Sequence, residues 1–121
     1  MSRERSIVIK DIEVGANEKE STRKNIIRVD VNYRIGGINY MSGDNWPRGY
    51  YLSICPMTVG NGFTSFIAFS GRAMCLQESK RFSQKVLGQI AADIEANYAE
   101  KVQPHVDRML ASLAEKKAFV F

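Results

Sequence analysis

With a single histidine among 121 residues, this chain has little from which to build a catalytic centre. A nucleophile and its base must converge, yet His105 stands beside Pro104 at a helix start, with Asp107 two positions on, a spacing that turns the pair apart on a helix. His105 therefore reads as a helix-cap residue. Metal-binding spacings are missing as well. Neither Cys55 nor Cys75 has a Cys or His nearby at ligand spacing, and no D-x-D-x-D-G loop or H-E-x-x-H pair occurs. The carboxylates Asp11, Glu13, Glu18, Glu20, Asp93 and Glu95 read as solvent-facing charges. The glycines Gly36, Gly37, Gly60, Gly62 and Gly71 spell neither G-x-G-x-x-G nor a P-loop, and they read as turn residues. No enzymatic activity, no metal and no cofactor is expected.

Long apolar runs are lacking too. A membrane span needs about twenty such residues together, and the start M-S-R-E-R-S-I-V-I-K has no signal-peptide core. The expectation is a soluble cytoplasmic protein whose two thiols stay free in a reducing compartment. There is no internal repeat and no low-complexity tract.

What is present is an apolar content of 45%, sufficient for one domain with a core, and 17 basic against 13 acidic residues. The resulting charge of +4 favours phosphate-bearing partners but falls short of the load of a DNA-coating protein. Ser6 to Val14 reads as a strand, followed by a polar loop. Asn25 to Arg34 alternates, with Ile27, Val29, Val31 and Tyr33 on one face and Arg28, Asp30, Asn32 and Arg34 on a wet one. Gly36-Gly37 has the chemistry of a hairpin turn, which makes Ile38 to Ser42 the expected return strand. A loop over Gly43 to Arg48 leads to β-rich runs at Gly49 to Met57 and Phe63 to Phe69, joined around Asn61-Gly62. Ala73 to Leu76 is either a last edge strand or the approach to a helix.

From Ser79 the period changes. Phe82, Val86, Ile90, Ile94 and Tyr98 recur every four residues, which predicts an amphipathic helix to about Val102. Pro104 suits the first turn of a second helix with Val106, Met109, Leu110 and Leu113 as its stripe to about Lys117, or else a kink in one long helix. The fold class is therefore α+β: an antiparallel β-meander of about four to five strands over residues 6–76, with one long or two C-terminal helices over 79–117 packed on one face. The apolar finish F-V-F, within Ala118 to Phe121, is expected to dock on the chain's own core or on a neighbouring subunit.

Binding chemistry concentrates in the cations and aromatics. Lys80, Arg81 and Lys85 crowd the expected start of the long helix, where the macrodipole already presents positive charge, an arrangement suited to holding an anion. Arg48, beside Trp46 and Tyr50, and Arg72, after Gly71, add guanidinium forks next to ring faces.

The patterns N-Y-R-I-G-G-I-N-Y-x-S-G, R-G-Y-Y-L-S-x-x-P, F-T-S-F-x-A-F-S-G and K-R-F-S-Q-K, within residues 29–86, resemble small proteins of phages and conjugative elements. Among these they resemble the Thoeris anti-defence sponges, small homo-oligomers that sequester cyclic nucleotide-type signals without degrading them. The resemblance implies a non-enzymatic phage counter-defence protein of the host cytoplasm. It would hold the phosphates and base of its ligand through Arg48, Arg81, Phe82 and Arg108. Two other readings stand beside it. One is a small inhibitor of a host defence protein, like the anti-CRISPR proteins, although such mimics are commonly acidic. The other is a weak RNA or single-stranded DNA binder stacking bases on the sheet aromatics.

Overall fold

The computed structural model describes residues 5–16, 24–38, 43, 45–60, 63–66 and 71–116. Four antiparallel strand tracks form a meander: β1 (Ser6–Ala16), β2 (Lys24–Arg34), β5 (Gly49–Gly60) and an outer track made of β6 (Phe63–Phe66) and β7 (Arg72–Glu78). β6 pairs with the end of β5 and β7 with its beginning. Between the pairs Met57↔Phe66 and Ile54↔Arg72, β5 advances three residues and the sequence of the outer track six. Between β2 and β5, β3 (Gly37–Ile38) pairs with β4 (Asn45–Trp46) in a separate two-stranded ladder.

The alternation in β2 sorts the two faces. Ile27, Val29 and Val31 are wholly buried and Tyr33 nearly so, and across the ladder they oppose Pro56, Ile54, Leu52 and Tyr50. Onto this face pack α1 (Gln84–Ala96), through Leu87, Ala91 and Ile94, and α3 (Gln103–Lys116), through Val106 and Met109. The α1 stripe follows the i, i+4, i+7 spacing of one helix face and the α3 pair the i, i+3 spacing. Burial of side chains of this size contributes about 1.5–3 kcal/mol apiece, which makes this layer the main source of stability.

The expected α+β meander with helices on one face is what the structure shows, but several boundaries differ. Ile38 does not lead a return strand for β2; that partner is β5, in unbroken register from Lys24↔Val59 to Arg34↔Gly49. A straight ladder of eleven β-prone residues outcompetes a short hairpin, and residues 35–48 become a side excursion. Gly36 still needs its glycine, with φ of 81° and the Trp46 carbonyl only 2.7 Å from where a Cβ would stand.

The outer strand runs to Glu78, and α1 starts at Gln84 rather than near Ser79, capped by Ser83, whose side chain accepts the Val86 N–H. The helical region is broken twice. Asn97 ends α1 by turning its amide back onto the Asp93 carbonyl; α2 (Tyr98–Lys101) is one turn, and α3 begins after Val102. Pro104 stands in the first turn of α3, where its missing N–H costs no hydrogen bond. The expectations for Ile38 to Ser42, Asn61-Gly62, the end of the run to Phe69 and the tail Ala118 to Phe121 fall wholly or largely outside the described residues.

Candidate functional site

Five residues, Ser79 to Ser83, separate the end of β7 from the first residue of α1, and three hydrogen bonds fasten part of that linker to the sheet. The Ser79 N–H donates to the Arg48 carbonyl at 2.9 Å, the Tyr33 hydroxyl donates to the Ser79 carbonyl at 2.9 Å, and the Ser83 N–H donates to the Tyr50 hydroxyl at 2.9 Å. Two strand tyrosines thus set the path of Lys80, Arg81 and Phe82. The Phe82 ring tilts against Tyr33 at 5.4 Å, and Tyr33 meets Tyr50 edge-on at 5.0 Å.

Cations gather around these rings. The Arg5 guanidinium lies 5.4 Å from the Phe82 centroid and 5.8 Å from that of Tyr33, while Arg48 lies 5.9 Å from Tyr33. Both arginines are exposed, as are Lys80, Arg81 and Lys85. Residues from the chain start, the β4–β5 turn and the β7–α1 linker therefore build one basic, ring-lined end of the sheet, beside the start of α1. Lys85 is the only one of the three linker and helix cations inside α1; Lys80 and Arg81 precede it.

The nine sequence-derived site residues divide accordingly. Arg48, Tyr50, Lys80, Arg81, Phe82 and Lys85 come together at this end. Tyr50 contributes from beneath, because its ring is fully buried and offers no face to a ligand. Trp46 faces the other side of the sheet, 5.8 Å from Tyr51, over which Arg34 also lies at 5.3 Å. Arg72 and Arg108 stand elsewhere, near His105. Sequence reasoning missed Arg5 and Tyr33. Arg5 lies 28 residues from Tyr33, and only the β1–β2 pairing, extended by the Tyr33 N–H donating to the Arg5 carbonyl at 2.8 Å, brings them together.

The helix-free face of the sheet carries a polar ladder. Arg28 grips Asp11 with two nitrogens at 2.8 and 2.9 Å. Asn32 donates to Asp30 at 2.6 Å and to Ser53 at 2.8 Å, and Arg34 donates to Asn32 and Ser53 at 2.9 and 3.0 Å. Burial pushes the Asp30 carboxyl above the usual range, against the Asn32 hydrogen bond and the Arg34 and Arg28 charges. Burial likewise raises the Cys55 thiol. These groups satisfy one another, and the ladder reads as structure.

A groove of about 630 Å³ opens on the helical side between β7 and the helices. Its floor is apolar, formed by Leu52, Met74, Val86, Ile90 and Ile94, and His105 and Lys101 stand among its polar walls. Among the described residues no three His, Cys, Asp or Glu side chains come together as a metal site, and no helix is long and apolar enough to cross a membrane. Compared with known proteins, the chain matches no family model, no curated protein and no solved structure.

Proposed function

We propose that this protein is a non-enzymatic binder that sequesters a small anionic, nucleotide-type ligand, acting as a phage counter-defence sponge in the cytoplasm. The observation that carries the reading is the convergence of Arg5 and Arg48 on the Tyr33–Phe82 ring pair, beside Lys80, Arg81 and Lys85. Guanidinium forks match phosphate oxygens in pairs, and a planar cation beside a half-exposed ring favours the flat face of a base. A ligand with phosphate and base would engage the arginines at its phosphates and Phe82 at its ring.

The test is isothermal titration, backed by thermal shift, with cyclic dinucleotides, cyclic trinucleotides, cyclic ADP-ribose isomers and short oligonucleotides. One nucleotide class should bind, be recovered intact after denaturation, and bind at least about tenfold more weakly to R48Q, since a hydrogen bond to a charged group contributes about 1.5–3 kcal/mol. Binding only to oligonucleotides, with steep salt dependence, would replace this reading with a nucleic-acid one. Indifference to every nucleotide would turn attention to a protein target.

A further inference from the structure

We propose that the groove between β7 and the helices binds a small molecule with an apolar body and a cationic amine head, the body on the groove floor and the ammonium on Glu100. The cavity, at about 630 Å³, lies within the roughly 300–1,000 Å³ typical of small-ligand sites. Leu52 and Met74, paired across β5 and β7, and Val86, Ile90 and Ile94 of α1 form its floor, a surface of hydrocarbon and one thioether. What such a floor buries must itself be hydrocarbon or ring. Leu76, 38% exposed on the same wall, extends the apolar surface outward.

The sign of the head follows from the charged groups in the lining, Asp93, Glu100 and Lys101. Lys101 Nζ donates to Asp93 Oδ2 at 2.6 Å and the Asn97 amide donates to Oδ1 at 3.1 Å, so that ion pair is neutral and both carboxylate oxygens are engaged. The ion pairs among the described residues are Lys24–Glu13, Arg28–Asp11 and Lys101–Asp93, which leaves Glu100, in the groove wall, without a cationic partner among them. His105 adds no charge to that wall. An Arg108 guanidinium nitrogen lies 2.6 Å from its Nδ1, and because guanidinium only donates, Nδ1 accepts and the ring is neutral. Arg108 and Arg72 themselves stand outside the lining. The wall therefore carries one uncompensated negative charge beside an apolar floor, and Gln77 and Gln89 add amide oxygens that can accept from the other protons of an ammonium.

This site is independent of the nucleotide reading. None of Arg5, Arg48, Lys80, Arg81, Phe82 and Lys85 lines the groove, and the two regions select ligands of opposite charge.

The probes share one ten-carbon body and differ in the head: decylammonium, decanol and decanoate. Each is titrated below its micellar concentration and followed by nuclear magnetic resonance of isotope-labelled methionine methyls, where Met74 reports from the groove floor. Decylammonium should bind about two- to fivefold more tightly than decanol, the range open to one exposed ion pair, and decanoate more weakly than either. E100Q, at an exposed position, should abolish the preference for decylammonium over decanol, and E100K should reverse the order of decylammonium and decanoate, while R48Q leaves all three unchanged. Decylammonium binding no tighter than decanol, a full preference retained in E100Q, or a Met74 methyl that does not shift would each overturn the proposal. So would light scattering in which decanol and decylammonium alike split a dimer, which would make the groove an interface between two copies of the chain. None of those results touches nucleotide binding, which R48Q reports separately.

Discussion

Replacing Tyr50 with phenylalanine removes one oxygen atom and tests how the basic end of the sheet is built. The ring is wholly buried and would stay in place against Tyr33, so packing changes little. What is lost is the acceptor of the Ser83 N–H, 2.9 Å away, at the residue that caps α1. The Ser83 carbonyl, 3.4 Å from the same hydroxyl, keeps its helical partner, the Leu87 N–H at 3.0 Å. The cost is therefore that of one stranded, half-buried donor, about 1–3 kcal/mol. For a domain of this length that corresponds to a drop in melting temperature of roughly 5–10 °C. Tyr33→Phe deprives only the Ser79 carbonyl of its partner and should cost less, about 1 kcal/mol. Circular dichroism melts and urea titrations of both variants give the comparison. Because the two hydroxyls set the path of Lys80, Arg81 and Phe82, Y50F should also weaken the ligand found by titration. A Y50F protein melting within about 1 °C of wild type would refute the claim that these tyrosines fasten the linker.

Two further outcomes follow from particular contacts. At Gly49 an added Cβ would stand 2.2 Å from the Gln77 carbonyl oxygen and 2.8 Å from Glu78 Cα, both backbone atoms of β7; G49A should therefore destabilise by at least about 2 kcal/mol, read by urea denaturation, and an unchanged midpoint would contradict the close approach of the strands. Asp30 binds its proton more tightly in the folded chain than in the unfolded one, so its contribution to stability is lost as pH rises through its raised pKa; D30N keeps an acceptor for the Asn32 amide and should remove that slope from the pH dependence of urea stability, whereas an identical profile in both proteins would show that Asp30 is not shifted.

Periodicity alone determined a great deal here. The alternation from Ile27 to Tyr33 and the four-residue recurrence from Val86 to Ile94 each encode which way a side chain must point to leave water, and those choices are local. The α+β class and the buried face of the sheet follow from them. The cations at Arg48, Lys80, Arg81 and Lys85 were legible as well, because charge and ring content are properties of composition.

The partner of β2 was decided elsewhere. Gly36-Gly37 has sound turn chemistry, but a local preference worth a fraction of a kcal/mol yields to an eleven-residue ladder whose core face packs under two helices. The same holds for the start of α1. Phe82 continues the helical period, yet tyrosine hydroxyls from β2 and β5 fasten Ser79 and Ser83 to the sheet, and the helix starts only after Ser83. Arg5 joined the site, and Trp46 left it, through pairing register and the side of the sheet each faces. Contacts between residues dozens of positions apart depend on how the whole chain closes its core, and a sequence read in windows carries no trace of them.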